Sequence, residues 1–207
     1  MGSRVMHSII AFKVAQELGL SNKAEFLLGG IAADATKDKE TSHFYEGYHE
    51  DYTRKIDYEK FIQKYEDRAT YDFILGYYSH LIADEYWLSG FYLPWLKNRM
   101  EADANILAQY HQDFQLLNHL LVEFYGLKKE LTALFNQPME LIQIDEIEIE
   151  NLWNLVANVL QDINIDSEQA QIQADLKVFT FAQIIGYIET SVEKSKYMIE
   201  RIKIHAL

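Results

Sequence analysis

Tyr71–Trp87 reads YDFILGYYSHLIADEYW, a proline-free apolar run too long and too helix-like to be a loop. It sets His80 and Asp84 four residues apart. Helix positions i and i+4 share a face, with side chains about 5–6 Å apart, so an imidazole and a carboxylate can converge there. Two readings are open at this point. The pair holds a metal ion, or it is a buried histidine hydrogen-bonded to a buried aspartate, as cores commonly satisfy polar groups. Beyond this run the chain has only two prolines, Pro94 and Pro138, and little Val/Ile/Thr alternation. Helix is therefore expected throughout, in one all-α domain.

Composition narrows the chemistry. The 207 residues, 49% hydrophobic and 25% charged, suit a globular chain with a sizeable core. No apolar run approaches the roughly 18 residues of a membrane span. The run Ile9–Phe12 is too short for a secretory leader and Lys13 interrupts the apolar pattern directly after it, so a cytoplasmic location is expected. The absence of cysteine removes disulfides, thiolate metal sites and thiol catalysis. Any metal must then be held by imidazole and carboxylate. A formal charge of −13 without a Lys/Arg cluster disfavours nucleic acid and anionic lipid as partners, whereas divalent cations would offset part of it.

Upstream, Val5–Leu18 has helical spacing and a stop at Gly19, with His7 in its first turns. Asn22-x-x-Glu25 resembles a capping box for a second helix, expected to run to Gly29-Gly30, after which Asp34 follows in GGIAADA. Thr36–Arg54 is polar, carries His43 and has no period, so it reads as a long loop. Asp57 is placed to cap a helix through Tyr65, and Thr70 or Asp72 to open the central one.

Downstream, Trp87–Leu96 reads as an aromatic turn broken by Gly90 and Pro94, with its aromatics plugging the core. Trp95–Tyr125 reads as one amphipathic helix closed by Gly126, carrying His111, His119 and Glu123. Lys128–Phe135 is a short helix. Leu141–Glu150 alternates like a strand, although Asp145-x-x-Glu148 could equally cap a helix Ile149–Ile163. A last helical pattern spans Ser167–Ile204. No repeat or linker divides residues 1–207; the chemistry lies mainly in 1–125, and 128–207 is expected to be scaffold.

His7, Asp34, His43, His80 and Asp84 make five ligand-type side chains in the first half. Without sulfur, such a set suits Zn²⁺ and also Mn²⁺, Fe²⁺ or Co²⁺. Ions about 3.5–4 Å apart, bridged by a carboxylate, can activate water for phosphoryl displacement. The tyrosines nearby, Tyr45, Tyr48, Tyr77, Tyr78 and Tyr86, could support ligands or substrate.

Taken in order, MHSIIAFKVA from Met6, GGIAADA from Gly29, SHF from Ser42 and GYYSHLIADEYW from Gly76 resemble the zinc-dependent phospholipase C family, which is related to the S1/P1 nucleases. The resemblance covers roughly the first half. It implies a single all-α domain of the phospholipase C / P1 nuclease type, up to three zinc ions and hydrolysis of phosphodiesters or phosphomonoesters. By the same resemblance His80 and Asp84 match the H-x-x-x-D pair, His43 the loop histidine, Asp34 the bridging aspartate and candidate base, and His7 an early histidine sharing a further metal with Asp84.

The chain also departs from that pattern. The secreted members use the amino group and carbonyl of a processed N-terminal residue as ligands, whereas six residues precede His7 here. No histidine follows Asp84 closely. The late H-x-x-x-E pair has two counterparts, His111 with Gln115 or His119 with Glu123, so His111, His119 and Glu123 form a second candidate metal set. The expectation is a metal-dependent phosphoesterase acting on a small phosphoester or phospholipid-like substrate. The alternatives are a non-catalytic helical metal-binding protein and an HD-like phosphohydrolase, the latter disfavoured because no His-Asp pair is adjacent.

Overall fold

The computed structural model describes residues 2–139, 142–164 and 175–205. Among the described residues 72% are helical and 2% in strand, so the fold is all-α. The main helices are α1 (Arg4–Glu17), α2 (Lys23–Ala32), α3 (Lys39–Ser42), α4 (Tyr58–Lys64), α5 (Asp72–Trp87), α6 (Lys97–Ala102), α7 (Ile106–Tyr125), α8 (Lys128–Phe135), α9 (Ile149–Asn164) and α10 (Phe181–His205). No helix among the described residues is long and apolar enough to cross a membrane.

Local caps fix several starts. Ser3 Oγ accepts the Met6 N–H at 3.1 Å, Asn22 Oδ1 that of Glu25 at 3.4 Å, and Asp57 Oδ1 that of Lys60 at 3.0 Å. Thr180 and Gln183 cap α10 reciprocally, the threonine N–H reaching Gln183 Oε1 at 2.8 Å and the glutamine N–H reaching Thr180 Oγ1 at 3.2 Å.

α5 is the central element, buried from Phe73 to Asp84, with α2, α1 and α10 packed around it. Gly29-Gly30 does not stop α2, which continues to Ala32. The glycines serve the crossing with α5. A Cβ on Gly29 would stand 2.0 Å from the Phe73 carbonyl oxygen, and one on Gly76 2.0 Å from that of Phe26. Only hydrogen fits between the two backbones there.

Four further expectations change. The Thr36–Arg54 loop contains α3 and opens a two-strand antiparallel hairpin, β1 (Tyr45–Glu46) with β2 (Lys55–Ile56). Leu88–Leu96 is a π-helix rather than a turn; its wider register accommodates Pro94, which lacks an N–H. The helix expected over Trp95–Tyr125 breaks between α6 and α7, where Asp103 is extended and its Oδ1 accepts the Asn105 N–H at 2.9 Å. No strand forms over 142–148; Glu146 is buried there, accepting from Lys64 Nζ at 2.6 Å and from the Tyr65 hydroxyl at 2.5 Å. Leu141 and Ser167–Ala174 of the expected segments lie outside the described residues, and the rest of the last expected helix is helical only from Phe181, since 175–180 forms a non-helical lead-in held by Asp113.

The core joins side chains from α1 to α10 in one cluster. Trp87 is fully buried, stacked on Phe91 at 4.8 Å and edge-on to Phe179 and Tyr187. Asp113 on α7 holds the chain entering α10, accepting from the Lys177, Val178 and Phe179 N–H groups at 2.8–3.1 Å.

Candidate metal centre

The α2–α5 crossing places five side chains around one point. α1 supplies His7, and Asp34 follows the end of α2. His43 caps the short α3, while His80 and Asp84 project from consecutive turns of α5. His43 Nε2 lies 3.2 Å and His80 Nε2 3.4 Å from Asp84 Oδ2, and the two Nε2 atoms are 3.3 Å apart. On the other carboxylate oxygen, His7 Nε2 is 3.2 Å from Asp84 Oδ1. Asp34 Oδ1 is 3.7 Å from His43 Nε2. Donors bound at about 2.0–2.1 Å to one tetrahedral ion stand roughly 3.3–3.5 Å from each other, so this spacing fits shared ligation. Two overlapping triads form, His43–His80–Asp84 and His7–Asp34–His80.

The outer partners fix which nitrogens face inward. His80 Nδ1 lies 2.9 Å from the Gly30 carbonyl oxygen, which can only accept, so Nδ1 carries the hydrogen and Nε2 turns to the cluster. His43 Nδ1 contacts Ser42 Oγ at 2.9 Å, and the Tyr77 hydroxyl donates to the Ser42 carbonyl at 2.7 Å. Tyr45 stacks on His43 and His7 on His80, the latter pair at 3.9 Å. Although its ring is buried, neither His7 nitrogen has a well-aligned hydrogen-bond partner; Nε2 has only the 3.2 Å approach to Asp84 Oδ1. A buried, unbonded imidazole beside a carboxylate is what a cation could satisfy.

Charge follows from this packing. Burial, reinforced by nearby His80, drives His7 down to about 4, and burial lowers His43 as well, so both are neutral at pH 7. For His80 burial also favours the neutral form, but the hydrogen bond and charge of Asp84 outweigh it and raise the value. Burial opposes ionisation of Asp84 and Asp34. The groups around them prevail, His7 and His43 at Asp84, His80 and Lys39 at Asp34, and both remain carboxylates.

Comparison with protein-family models, with curated proteins and with solved structures finds no match for this chain. What the chain can do must therefore be read from its own geometry.

Asp34 alone of the five reaches solvent, in a cleft of about 570 Å³. His111 and Gln115 line the same cleft from α7, together with Arg4, Lys39 and Asn118. His119 instead pairs with Glu123 along α7 at 3.4 Å. Among the described residues, neither triad includes His111, His119 or Glu123.

Four contributors carry no signal of their own in the sequence. Lys39 Nζ donates to Asp34 Oδ1 at 2.7 Å, Arg4 lies on the cleft wall, the Gly30 carbonyl orients His80, and the Gly2 backbone N–H reaches Asp84 Oδ1 at 3.3 Å. The chain ahead of α1 thus turns back onto the cluster at Gly2. Ser3, a capping residue just before the first apolar period, is the one visible sign of that turn.

Proposed function

We propose that this chain is a metal-dependent phosphoester hydrolase of the zinc phospholipase C type, a single all-α domain holding divalent ions at His7, Asp34, His43, His80 and Asp84. The observation that carries the proposal is the meeting of His43 Nε2, His80 Nε2 and Asp84 Oδ2 within 3.2–3.4 Å, with the His80 Nδ1 hydrogen turned outward. Two imidazole nitrogens and a carboxylate oxygen turned to one point make a donor set for a cation. Zinc suits imidazole and carboxylate; iron, manganese and cobalt share that preference.

A cation held there supplies charge to acidify the attacking water and to neutralise the phosphoryl oxygens. The protein supplies position. Asp34, ionised and facing the cleft, orients the water and accepts its proton as the water oxygen bonds to phosphorus. The bond from phosphorus to the ester oxygen breaks, and the proton leaves with the alcohol. His43 and His80 are held by Ser42 and Gly30 and need not reorganise.

One observation favours the non-catalytic reading. His7, His43, His80 and Asp84 are each at most 1% exposed, as in a closed structural site. Metal content separates the two. Elemental analysis of protein purified without added metal should find two or more ions per chain, lost in the His80→Ala, Asp84→Ala double variant, and Asp34→Asn should abolish phosphoester cleavage while the protein stays folded. A single ion with no turnover on any mono- or diester would establish the binding protein instead.

A further inference from the structure

The cleft over Asp34 carries information about the substrate. In a chain of formal charge −13, its charged lining balances: Arg4 and Lys39 against Asp34 and Asp162. The two cations are held differently. Lys39 Nζ rests on Asp34 Oδ1 at 2.7 Å with its side chain 56% exposed, so it is free to swing on a flexible stem. Arg4 is anchored through Nε to Asp162 Oδ2 at 2.7 Å, and Asn118 Nδ2 approaches the same oxygen at 3.4 Å. Among the described residues the two Nη groups of Arg4 make no hydrogen bond. A guanidinium fixed by Nε with its terminal fork unused matches two oxygens of one phosphate.

On the reading of the site as a metal-dependent phosphoesterase, we infer that Arg4 and Lys39 are the specificity-determining residues of this cleft and that they select a phosphate monoester of a small alcohol. Arg4 receives two non-bridging oxygens. Lys39 exchanges Asp34 for the phosphate, leaving that carboxylate to face the attacking water. A monoester carries about 1.5–2 negative charges at pH 7, which two cations neutralise; a diester carries one and leaves a cation unmatched. A quaternary-ammonium headgroup would be repelled by both, and beside the His111 imidazole the described lining carries a single Phe, Tyr or Trp ring, that of Phe114, too few for a cation cage. Phe114 and Leu155 offer apolar contact for the alcohol, and about 570 Å³ lies within the usual small-molecule range.

The test uses inorganic phosphate as the binding probe, with para-nitrophenyl phosphate and bis(para-nitrophenyl) phosphate as monoester and diester. Calorimetry with phosphate is run on metal-loaded and on metal-stripped protein, for wild type, Lys39→Ala, Lys39→Arg and Arg4→Gln. Lys39→Ala and Arg4→Gln should each weaken phosphate binding about 10- to 100-fold in the loaded protein with metal content unchanged, and Lys39→Arg should recover most of the loss. In kinetics the loss should fall mainly on KM, and the monoester should be preferred at least about tenfold in kcat/KM. Phosphate affinity unchanged in both charge-removing variants, or a preference for the diester, would overturn the inference while leaving the metal site standing. Absence of bound metal would sink the hydrolase reading; weakening of phosphate binding by the same two variants in the metal-stripped protein would then still establish the anion site, and no effect there would end it.

Discussion

His43 and His80 face each other through their Nε2 atoms at 3.3 Å across Asp84 Oδ2, although they come from segments 37 residues apart. Two imidazoles so placed share one proton or one cation. Removing either should abolish tight binding at this point. His43→Ala is expected to lower zinc affinity at least about 100-fold, measured by competition with a chelating dye. Equal affinity in the variant would remove His43 from the ligand set.

Tyr77 acts on the site without touching it. Its hydroxyl holds the Ser42 carbonyl at 2.7 Å, and Ser42 in turn contacts His43. Tyr77→Phe keeps the ring stacked on Phe61 and deletes only that bond. We expect a stability loss of about 1 kcal/mol and roughly tenfold weaker metal binding. A variant with normal affinity would show that the α3 segment is held in place by packing alone.

The metal-stripped protein should be acid-sensitive through His7. Burial first, and then the charge of His80, lower its folded value from 6.5 to about 4. Between those values the unfolded chain binds the proton and the folded one does not. The stabilisation is therefore complete above pH 6.5 and is lost as pH falls towards 4. At pH 5 the loss is about 2 kcal/mol. Urea unfolding at pH 7.5 and 5, with chelator, should show a stability loss about 2 kcal/mol larger in wild type than in His7→Gln, since His43 and His80 carry shifts of their own in both proteins; equal losses in the two would contradict it.

Asp113 is predicted to be the main structural anchor outside the site. Its buried carboxylate serves three successive backbone N–H groups at the entry to α10. Asp113→Ala strands those donors and should cost about 2–4 kcal/mol. Hydrogen exchange at Val178 and Phe179 should accelerate, and protection left intact there would rule the role out.

Legibility in the sequence tracks the range of the interaction. Caps at Asn22 and Asp57 are readable because acceptor and donor lie three residues apart. Gly29-Gly30 reads as a stop because glycine marks both a helix end and a close crossing, and only its partner Gly76 on α5 distinguishes them. The Asp103–Asn105 turn is written in residues that favour it but is hidden inside a strong amphipathic period. Strands of two residues, Tyr45–Glu46 and Lys55–Ile56, are too short to show any alternation.

The same holds at the candidate site. The four-residue spacing on α5 points to His80 with Asp84, and the addition of His7, Asp34 and His43 to that pair is what the resemblance in the first half implies; the structure groups these side chains in two overlapping triads. The roles of Arg4 and Lys39 are not, because a surface cation acquires meaning only when the cleft it faces is known. The choice between His111 and His119 is equally out of reach. It depends on the rotation of α7, and that rotation turns His111 into the cleft and leaves His119 beside Glu123.

The glycine contact between α2 and α5 has a consequence for how such a centre could be retuned. Gly30, whose carbonyl orients His80, is the immediate neighbour of Gly29, where the two backbones touch. Helix separation and imidazole tilt are thus one mechanical coordinate. Repacking Phe26 or Phe73, whose own carbonyls form that contact, would slide the Gly30 carbonyl past the ring and change the angle at which Nε2 is presented. The angle at which that imidazole meets its neighbours is therefore set by backbone packing as well as by the side chains of the cluster.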